Sequence, residues 1–350
     1  MKRAITSRRI IPSNSVITND EERAAYWKKL MIDWNLDPQT THFPGCHPVS
    51  IEKKNLKFFT KYSSELLVSL KSDGVRHIMY MTTRIGTTDQ PVCLLIDRAR
   101  NMYEIEVWAN APYFQKGTIL DGELLWRLPD ENTLTFLVFD VIRLKGDLVM
   151  KESYSTRLTI VERIIFSGDE NDSDEYIEHI IVENDSILCK NSMYNLKLEH
   201  KRFAPADKCV TIWNDRDQHA FRNDGLIFCR MTLPYCFGTA KDNTYKWKPG
   251  LTIDVMIESQ NDIIVNSNES DNKIKIHSIR KIPVRLIKND LQYTNTDIVE
   301  CDINVANKII ELFPVRKRYD KHVPNTLKTV ESTFNSLIQN VTLEMLSKAL

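Results

Sequence analysis

A lysine in a short polar turn between two apolar segments has the chemistry that covalent group transfer needs. Lys71 opens the sequence Lys-Ser-Asp-Gly-Val-Arg, which is flanked by ELLVSL (65–70) and VRHIMYM (75–81). A lysine amine is a nucleophile only after it loses its proton, so such a site needs neighbouring charges that lower the lysine pKa. Taken alone, the motif is equally typical of a charged hairpin tip. Its meaning therefore depends on the rest of the chain.

Further groups of charged and aromatic residues follow Lys71 in order along the chain. They are Asp121-Gly-Glu-Leu, Phe139-Asp140, Asp224-Gly-Leu-Ile, Lys246-Trp-Lys-Pro-Gly and Arg316-Lys-Arg-Tyr-Asp-Lys. Each has an ordinary structural interpretation: Phe139 alone would be a core aromatic, and Lys246–Gly250 alone a basic turn. None of these groups is specific when taken alone. Their significance lies in their joint occurrence in this order along the chain.

The elements that position these residues are mostly strands. Three pairs of apolar segments are separated by turn residues, which predicts hairpins and an antiparallel sheet. These pairs are 65–70 with 75–81, 91–98 with 102–108, and 118–126 with 134–142. Helices are predicted over Glu21–Trp34, capped by Asn19 or Asp20, and over Tyr154–Phe166, whereas the acidic stretch 168–185 reads as a surface insertion.

After Gly250 the sequence changes to short, closely spaced apolar segments. Five short strands are predicted at 251–257, 262–267, 273–278, 283–288 and 297–303, and they indicate a small barrel of the OB-fold type. Helical spacing returns from Leu327 to Leu350. We expect a first domain over residues 1–247, the barrel over 248–326, and a tail helix over 327–350 that packs back on the first domain.

Composition narrows the class of partner. Lys and Arg together number 47, as do Asp and Glu, so the net charge is zero. This argues against nucleic-acid binding through a basic tail, and any contact must come from a local surface, for which Arg280, Lys281 and Arg285 are candidates. The seven cysteines form no C-x-x-C pair, and no apolar run is long enough for a membrane helix. The scattered cysteines favour reduced thiols inside a cell.

The ordered groups resemble the covalent nucleotidyltransferase superfamily, which contains mRNA capping guanylyltransferases and ATP-dependent polynucleotide ligases. The capping enzymes are closer, because FPGCHPVSIEKKNL (43–56), LLIDRARNMY (94–103) and IVEC (298–301) look like the small chlorella-virus-type enzyme. The resemblance covers about residues 43–345. It implies an α+β fold in which an ATP-grasp-like nucleotidyltransferase domain of antiparallel sheets with flanking helices, shared with DNA ligases, precedes an OB-fold barrel.

The resemblance also implies a role for each matched residue. Lys71 matches the catalytic nucleophile, and Asp224 matches the carboxylate that serves the metal ion. Gly74 lets the backbone approach the nucleotide, Glu123 contacts ribose, and Phe139 stacks on guanine. The remaining nucleotide contacts are Arg76, Arg98, Lys201 at the guanine edge, Lys246, Lys248, the required acid Asp254, and Arg318, Asp320 and Lys321, which hold the leaving pyrophosphate.

The implied activity is mRNA guanylyltransferase, with GTP as substrate, Mg²⁺ or Mn²⁺ as cofactor and 5′-diphosphate RNA as acceptor. A monomer without membrane attachment is expected, with the triphosphatase and methyltransferase as separate proteins. The expected location is intracellular, in a nucleus or a cytoplasmic viral factory, or in a virion. Phe313 stands where a Trp is common before the last motif. Two alternatives stay open: an ATP-dependent polynucleotide ligase, and a catalytically silent RNA-binding capping subunit.

Overall fold

The computed structural model describes residues 16–107, 109–128, 133–165, 195–258, 262–267, 272–287, 289–318, 321 and 323–350. The acidic stretch 168–185 and the predicted site residue Asp320 lie outside the described residues. The described chain forms two compact units, one within residues 16–49 and 61–246 and one within residues 50–60 and 247–349.

The helices of the described residues are α1 (Asp20–Asp33), α2 (Leu56–Lys61), α3 (Ala111–Gln115), α4 (Tyr154–Ile164), α5 (Cys209–Asn214), α6 (Leu327–Gln339) and α7 (Leu343–Ala349). The strands up to residue 247 are β1 (Val49–Ser50), β2 (Leu66–Ser72), β3 (Val75–Thr83), β4 (Pro91–Asp97), β5 (Met102–Ile105), β6 (Thr118–Trp126), β7 (Thr133–Leu144), β8 (Asp147–Leu148), β9 (Asn195–His200), β10 (Ala204–Pro205), β11 (Asn223–Arg230) and β12 (Thr244–Trp247). The later strands are β13 (Thr252–Ile257), β14 (Ile263–Asn266), β15 (Lys273–Ile276), β16 (Ser278–Ile279), β17 (Ile282–Leu286), β18 (Val299–Ala306) and β19 (Ile309–Lys317).

Two sheets build the larger unit. The first has the order β5-β4-β3-β6-β7-β8, and β9 adds to it in parallel with β7. The second has the order β1-β12-β11-β2-β10. Pairing of β4 with β5 and of β6 with β7 confirms two of the predicted hairpins. The architecture is therefore the mixed α+β one that the resemblance implied.

The third predicted hairpin, on either side of Lys71, is wrong. Strand β2 pairs with β11 and β10 in the second sheet, whereas β3 pairs with β4 and β6 in the first. The Lys71 turn therefore carries the chain from one sheet to the other. Gly74 allows this step, because a Cβ there would lie 2.4 Å from Leu125 Cδ2 and 2.9 Å from the carbonyl oxygen of Leu124. A Cβ at position 74 would therefore clash with β6, so packing within the protein requires this glycine.

The helices of the larger unit follow their capping signals. Asn19 accepts a hydrogen bond from the N–H of Glu22 (3.0 Å) and begins α1, and Ser153 caps α4 in the same way. The buried face of α4 includes Arg157 as well as Val161 and Ile164. That helix therefore brings a buried cation to the sheet, which its apolar spacing did not indicate.

The smaller unit is a nearly closed β-barrel of the order β15-β14-β13-β18-β19-β17-β16. Strand β19 was not predicted, because Pro314 interrupts its apolar pattern; in the structure a register shift at Glu300 and Cys301 accommodates the proline. Strand β19 also pairs in parallel with β17. The barrel matches the expected OB-type architecture.

The tail helix packs differently from the prediction. Val330 and Phe334 of α6 are fully buried in the barrel core, with Val255, Val265 and Leu312 among their cluster. The expectation that residues 327–350 pack back on the first domain is therefore wrong for this helix. Its apolar stripe indicated a buried face but could not say which core covers it. Within the described residues, no helix has the length and hydropathy needed to cross a bilayer.

Candidate active site

The predicted nucleophile lies at the end of β2 and is paired with a carboxylate from a distant part of the chain. Lys71 Nζ donates to Asp224 Oδ1 at 2.7 Å, and both side chains are partly exposed. Antiparallel pairing of β2 with β11 aligns Lys71 with Gly225 and Ser72 with Asn223, and the register shifts between them. Asp224 occupies this irregularity, where a bulge redirects a side chain.

The charges around Lys71 act in the opposite direction to the expectation. Burial by itself lowers the pKa of Lys71, but the negative charges of Asp224, Glu123 and Asp73 outweigh it and raise that pKa. The expectation that neighbouring charges lower the pKa of Lys71 is therefore wrong. The carboxylates nearest the amine favour its protonated form.

A second lysine lies beside the first. Lys201 is buried, its Nζ donates to Ser72 Oγ at 3.0 Å, and it lies 3.8 Å from Glu123 Oε2. Burial lowers the pKa of Lys201; Glu123 opposes this shift and the like charge of Lys71 adds to it. Lys201, predicted at the guanine edge, is thus attached to the residue that follows the nucleophile.

Arg76 is committed to a buried ion pair. Its Nε donates to Asp121 Oδ1 at 2.8 Å, a second guanidinium nitrogen binds Asp121 Oδ2, and a third N–H group donates to the carbonyl of Cys46. The Tyr235 hydroxyl also donates to Asp121 Oδ2, at 2.7 Å. Arg76, which the resemblance implied to be a nucleotide contact, is thus held by partners within the protein. A charge buried this deeply needs such a partner.

The predicted stacking ring lies next to this pair. Phe139, half-buried on β7, has its ring centroid 5.4 Å from the guanidinium carbon of Arg76. Glu123 stands opposite Arg76 in the β3–β6 register. Adjacent Asp140 is buried and accepts hydrogen bonds from Arg157 at 2.7 and 3.1 Å. Phe139 thus lies between two buried ion pairs, with part of its surface exposed.

Positive charge gathers around a histidine that the sequence did not indicate as functional. Burial lowers the pKa of His47, and the positive charges of Arg98, Arg76 and Lys246 lower it further, against Asp121. Arg98 is exposed directly after β4, and Lys246 lies on β12. Two hydrogen bonds fix the His47 backbone, to the carbonyl of Gly238 (2.6 Å) and from the N–H of Ala240 (3.0 Å). A lone loop histidine carries no sequence signal for this environment.

The last predicted group lies in the barrel unit, as does Lys248. Asp254 on β13 accepts hydrogen bonds from Arg318 Nη1 at 3.0 and 3.2 Å, and Lys321 Nζ binds its Oδ2. Glu300 lies 3.8 Å from Arg318. Asp254 is thus engaged by the two cations predicted to hold pyrophosphate, rather than standing alone as a nucleotide contact.

The side chains near Lys71 provide only part of what a bound metal ion needs. Within the described residues, no group of three His, Cys, Asp or Glu side chains could hold a metal ion. Mg²⁺ commonly binds through one or two carboxylates together with substrate phosphates. Asp224 fits that mode.

A lysine beside carboxylates where two sheets meet, followed by a barrel, defines a nucleotidyltransferase of the α+β class. Residues 6–250 match the family described as mRNA capping enzyme, catalytic domain, and residues 230–347 match mRNA capping enzyme, C-terminal domain. The chain belongs to the mRNA capping enzyme family.

Similar curated proteins include mRNA-capping enzymes from fungi and animals. The chain is 28% identical over 334 residues to the mRNA-capping enzyme subunit alpha of Schizosaccharomyces pombe, covering 87% of this chain and 79% of that protein. It is 27% identical over 329 residues to the mRNA-capping enzyme of Caenorhabditis elegans, covering 86% of this chain and 47% of that protein. The chain thus spans about half the length of some of these relatives. A mycobacterial DNA ligase D structure complexed with ATP and MES aligns with a TM-score of 0.41 at 11% identity, covering 80% of this chain and 96% of that chain.

Proposed function

We propose that this protein is an mRNA guanylyltransferase that works through a covalent Lys71–GMP intermediate. The observation that carries the proposal is the placement of the Lys71 amine 2.7 Å from Asp224, with Glu123 and Lys201 beside it, in a chain of the capping enzyme family. Lysine nucleophiles require an environment of this kind, with charged groups that control the proton on the amine.

In the first step, Lys71 Nζ attacks the α-phosphate of GTP. A P–N bond forms, the bond from the α-phosphorus to the bridging oxygen breaks, and pyrophosphate leaves. In the second step, the terminal phosphate of a 5′-diphosphate RNA attacks the same phosphorus and releases Lys71. Both steps place negative charge on phosphate oxygens, so catalysis consists mainly of positioning and electrostatic stabilisation.

Because the pKa of Lys71 is raised, its amine must lose a proton before it can attack the phosphate. Asp224 holds the amine protonated, and it is also the acceptor nearest to the departing proton. Asp224 would hold Mg²⁺ or Mn²⁺, which supplies positive charge to the phosphates when bound. Because Asp224 makes the largest charge contribution to the raised pKa of Lys71, a change that neutralised Asp224 would also favour loss of the lysine proton.

The substrates follow from the chemistry of the site. Phe139 offers the exposed part of its ring to guanine, Arg98 and Lys246 offer charge to phosphates, and a local basic surface that includes Arg285 holds RNA. The triphosphatase and the methyltransferase are separate proteins in this proposal, and the enzyme acts inside a cell. The similarity to the small chlorella-virus-type enzyme stays a prediction from the sequence motifs.

Labelling with α-labelled nucleotide tests the proposal. The protein is incubated with GTP or ATP and Mg²⁺ or Mn²⁺ and then run on a denaturing gel. Label from GTP, absent in Lys71→Ala and present in the matched surface variant Lys61→Ala, is the expected result. Label from ATP alone identifies a ligase instead, and no label from either nucleotide identifies a silent binding subunit.

A further inference from the structure

The barrel contains a carboxylate that holds two cations from one short segment. The Asp254 side chain is 8% exposed, and it binds Arg318 and Lys321 together. Arg318 meets both carboxylate oxygens, and Lys321 meets Oδ2. Glu300, which pairs with Arg316, also lies 3.8 Å from Arg318 Nη1, so two carboxylates face three cations and the cluster keeps a net positive charge.

The backbone around this group is anchored as well. The N–H of Asp254 donates to Asn325 Oδ1 at 2.8 Å, and the N–H of Asn325 donates to the Asp254 carbonyl at 2.7 Å. The N–H of Arg318 donates to the carbonyl of Ile298 at 2.7 Å. Arg318 and Asn325 are thus attached to the barrel through their backbones, and the Asp254 carboxylate holds the side chains of Arg318 and Lys321.

Two long cationic side chains would not stay together without such a partner. Like charges that share one carboxylate repel each other, and each free side chain has up to about 2 kcal/mol of rotamer entropy to lose when it is ordered. The Asp254 carboxylate removes most of the repulsion and part of the ordering cost before a ligand arrives. Donors that are already oriented stabilise developing charge without reorganisation at the moment of reaction.

We infer that Asp254 is a positioning residue for the first chemical step, which holds Arg318 and Lys321 side by side so that both can bind the leaving pyrophosphate. The inference rests on the proposed function. It replaces the sequence-based assignment of Asp254 as a nucleotide contact. Asp254 acts on the reaction only through the two cations, whereas a direct contact would act without them.

The test is a mutant cycle on single-turnover formation of the Lys71 adduct. Asp254→Asn is expected to slow adduct formation on the order of 10- to 100-fold in the otherwise unchanged protein. In an Arg318→Ala/Lys321→Ala background, the same change is expected to slow it about 2-fold or less, because the groups that Asp254 positions are gone. GMP transfer to RNA from adduct prepared beforehand stays within about 3-fold in each case.

Asp297→Asn is the matched control, because it removes another barrel carboxylate that pairs with a lysine, Lys317, at 2.7 Å. It should leave adduct formation unchanged. An equal loss from Asp254→Asn in both backgrounds would overturn the inference in favour of direct contact or general structure.

If Asp254→Asn does not fold, Asp254→Glu carries the test. Its displaced carboxylate should slow adduct formation only when both cations are present, and unchanged kinetics would overturn the inference. Wild type and Lys71→Ala run alongside, so a missing adduct in wild type rejects the proposed function separately.

Discussion

Two acid–base pairs of the larger unit differ in how they are built. Lys71 and Asp224 meet through one hydrogen bond, and their side chains are 22% and 31% exposed. Arg76 and Asp121 meet through two nitrogens, with side chains 8% and 0% exposed, and Tyr235 and Cys46 satisfy the remaining groups. The first pair can separate when a ligand supplies other charges, whereas the second cannot separate without leaving a buried charge unpaired. Exposure and the number of bonds thus distinguish a reactive pair from a structural one.

The sharpest way to break the reactive pair is to remove its amine. Lys71→Ala should abolish the covalent nucleotide adduct, because the reacting nitrogen is gone. Lys71→Arg should fail as well, because a guanidinium stays protonated and cannot attack. A denaturing gel after incubation with labelled GTP measures both, with Lys61→Ala as control. Normal labelling of either Lys71 variant would reject Lys71 as the nucleophile.

The comparison predicts opposite profiles for two aspartate variants. Asp121→Asn should lower the free energy of unfolding by about 3–5 kcal/mol, because it leaves the Arg76 charge buried without its partner. Asp224→Asn should lower it by about 1 kcal/mol or less, because its pair is partly exposed, yet it should strongly impair adduct formation. Urea unfolding and the labelling assay on both variants measure these quantities. If both variants lowered the free energy of unfolding by similar amounts, the distinction between a structural pair and a reactive pair would be rejected.

The barrel cations provide a third pair for the comparison. Arg318→Ala should slow adduct formation by about 3–4 kcal/mol in activation free energy, the range for losing a charged donor aimed at transition-state charge. Transfer of GMP from adduct made under forcing conditions should change much less, because no pyrophosphate leaves in that step. Single-turnover kinetics of the two steps separate these effects. Equal losses in both steps would assign Arg318 to general phosphate binding or barrel structure.

The smallest expected effect concerns the ring that lies against the structural pair. Phe139→Ala should weaken GTP use by about 1–3 kcal/mol, the range for losing one stacked base, and Phe139→Tyr should be milder. The KM for GTP in adduct formation is the measurement, and thermal unfolding serves as the check on folding. A folded alanine variant with unchanged GTP dependence would show that Phe139 only packs against Arg76.

The sequence predicted the strands and helices better than it predicted which strands pair with each other and which surfaces the helices cover. Strands β4 to β7 and helices α1 and α4 follow from apolar alternation and capping residues, which are local signals. Alternation does not say which strand lies beside which, so the step of β2 and β3 into different sheets could not be predicted. The same limit applies to α6, whose stripe of Val330 and Phe334 would fit any apolar surface.

For the site, residue types indicated the chemistry but not the partners. Lys71, Glu123, Lys201 and Asp224 are brought together by strand pairing that spans much of the chain. The resemblance implied that Arg76 and Asp254 contact the nucleotide. The structure shows that each of them also has charged partners within the protein, which the motifs do not indicate. The sign of the pKa shift at Lys71 depends on those partners and was wrong for the same reason.

The crossing of the chain at Gly74 gives the site a mechanical property. Lys71 and Asp224 are carried by neighbouring strands of one sheet, whereas Arg76 and Glu123 are carried by neighbouring strands of the other. A small slide of one sheet over the other would leave the spacing of amine and carboxylate unchanged but would alter the distance from that amine to Glu123. Core substitutions that shift one sheet relative to the other should therefore change the distance from the Lys71 amine to Glu123, the predicted ribose contact. The same substitutions should leave the distance from that amine to Asp224 unchanged.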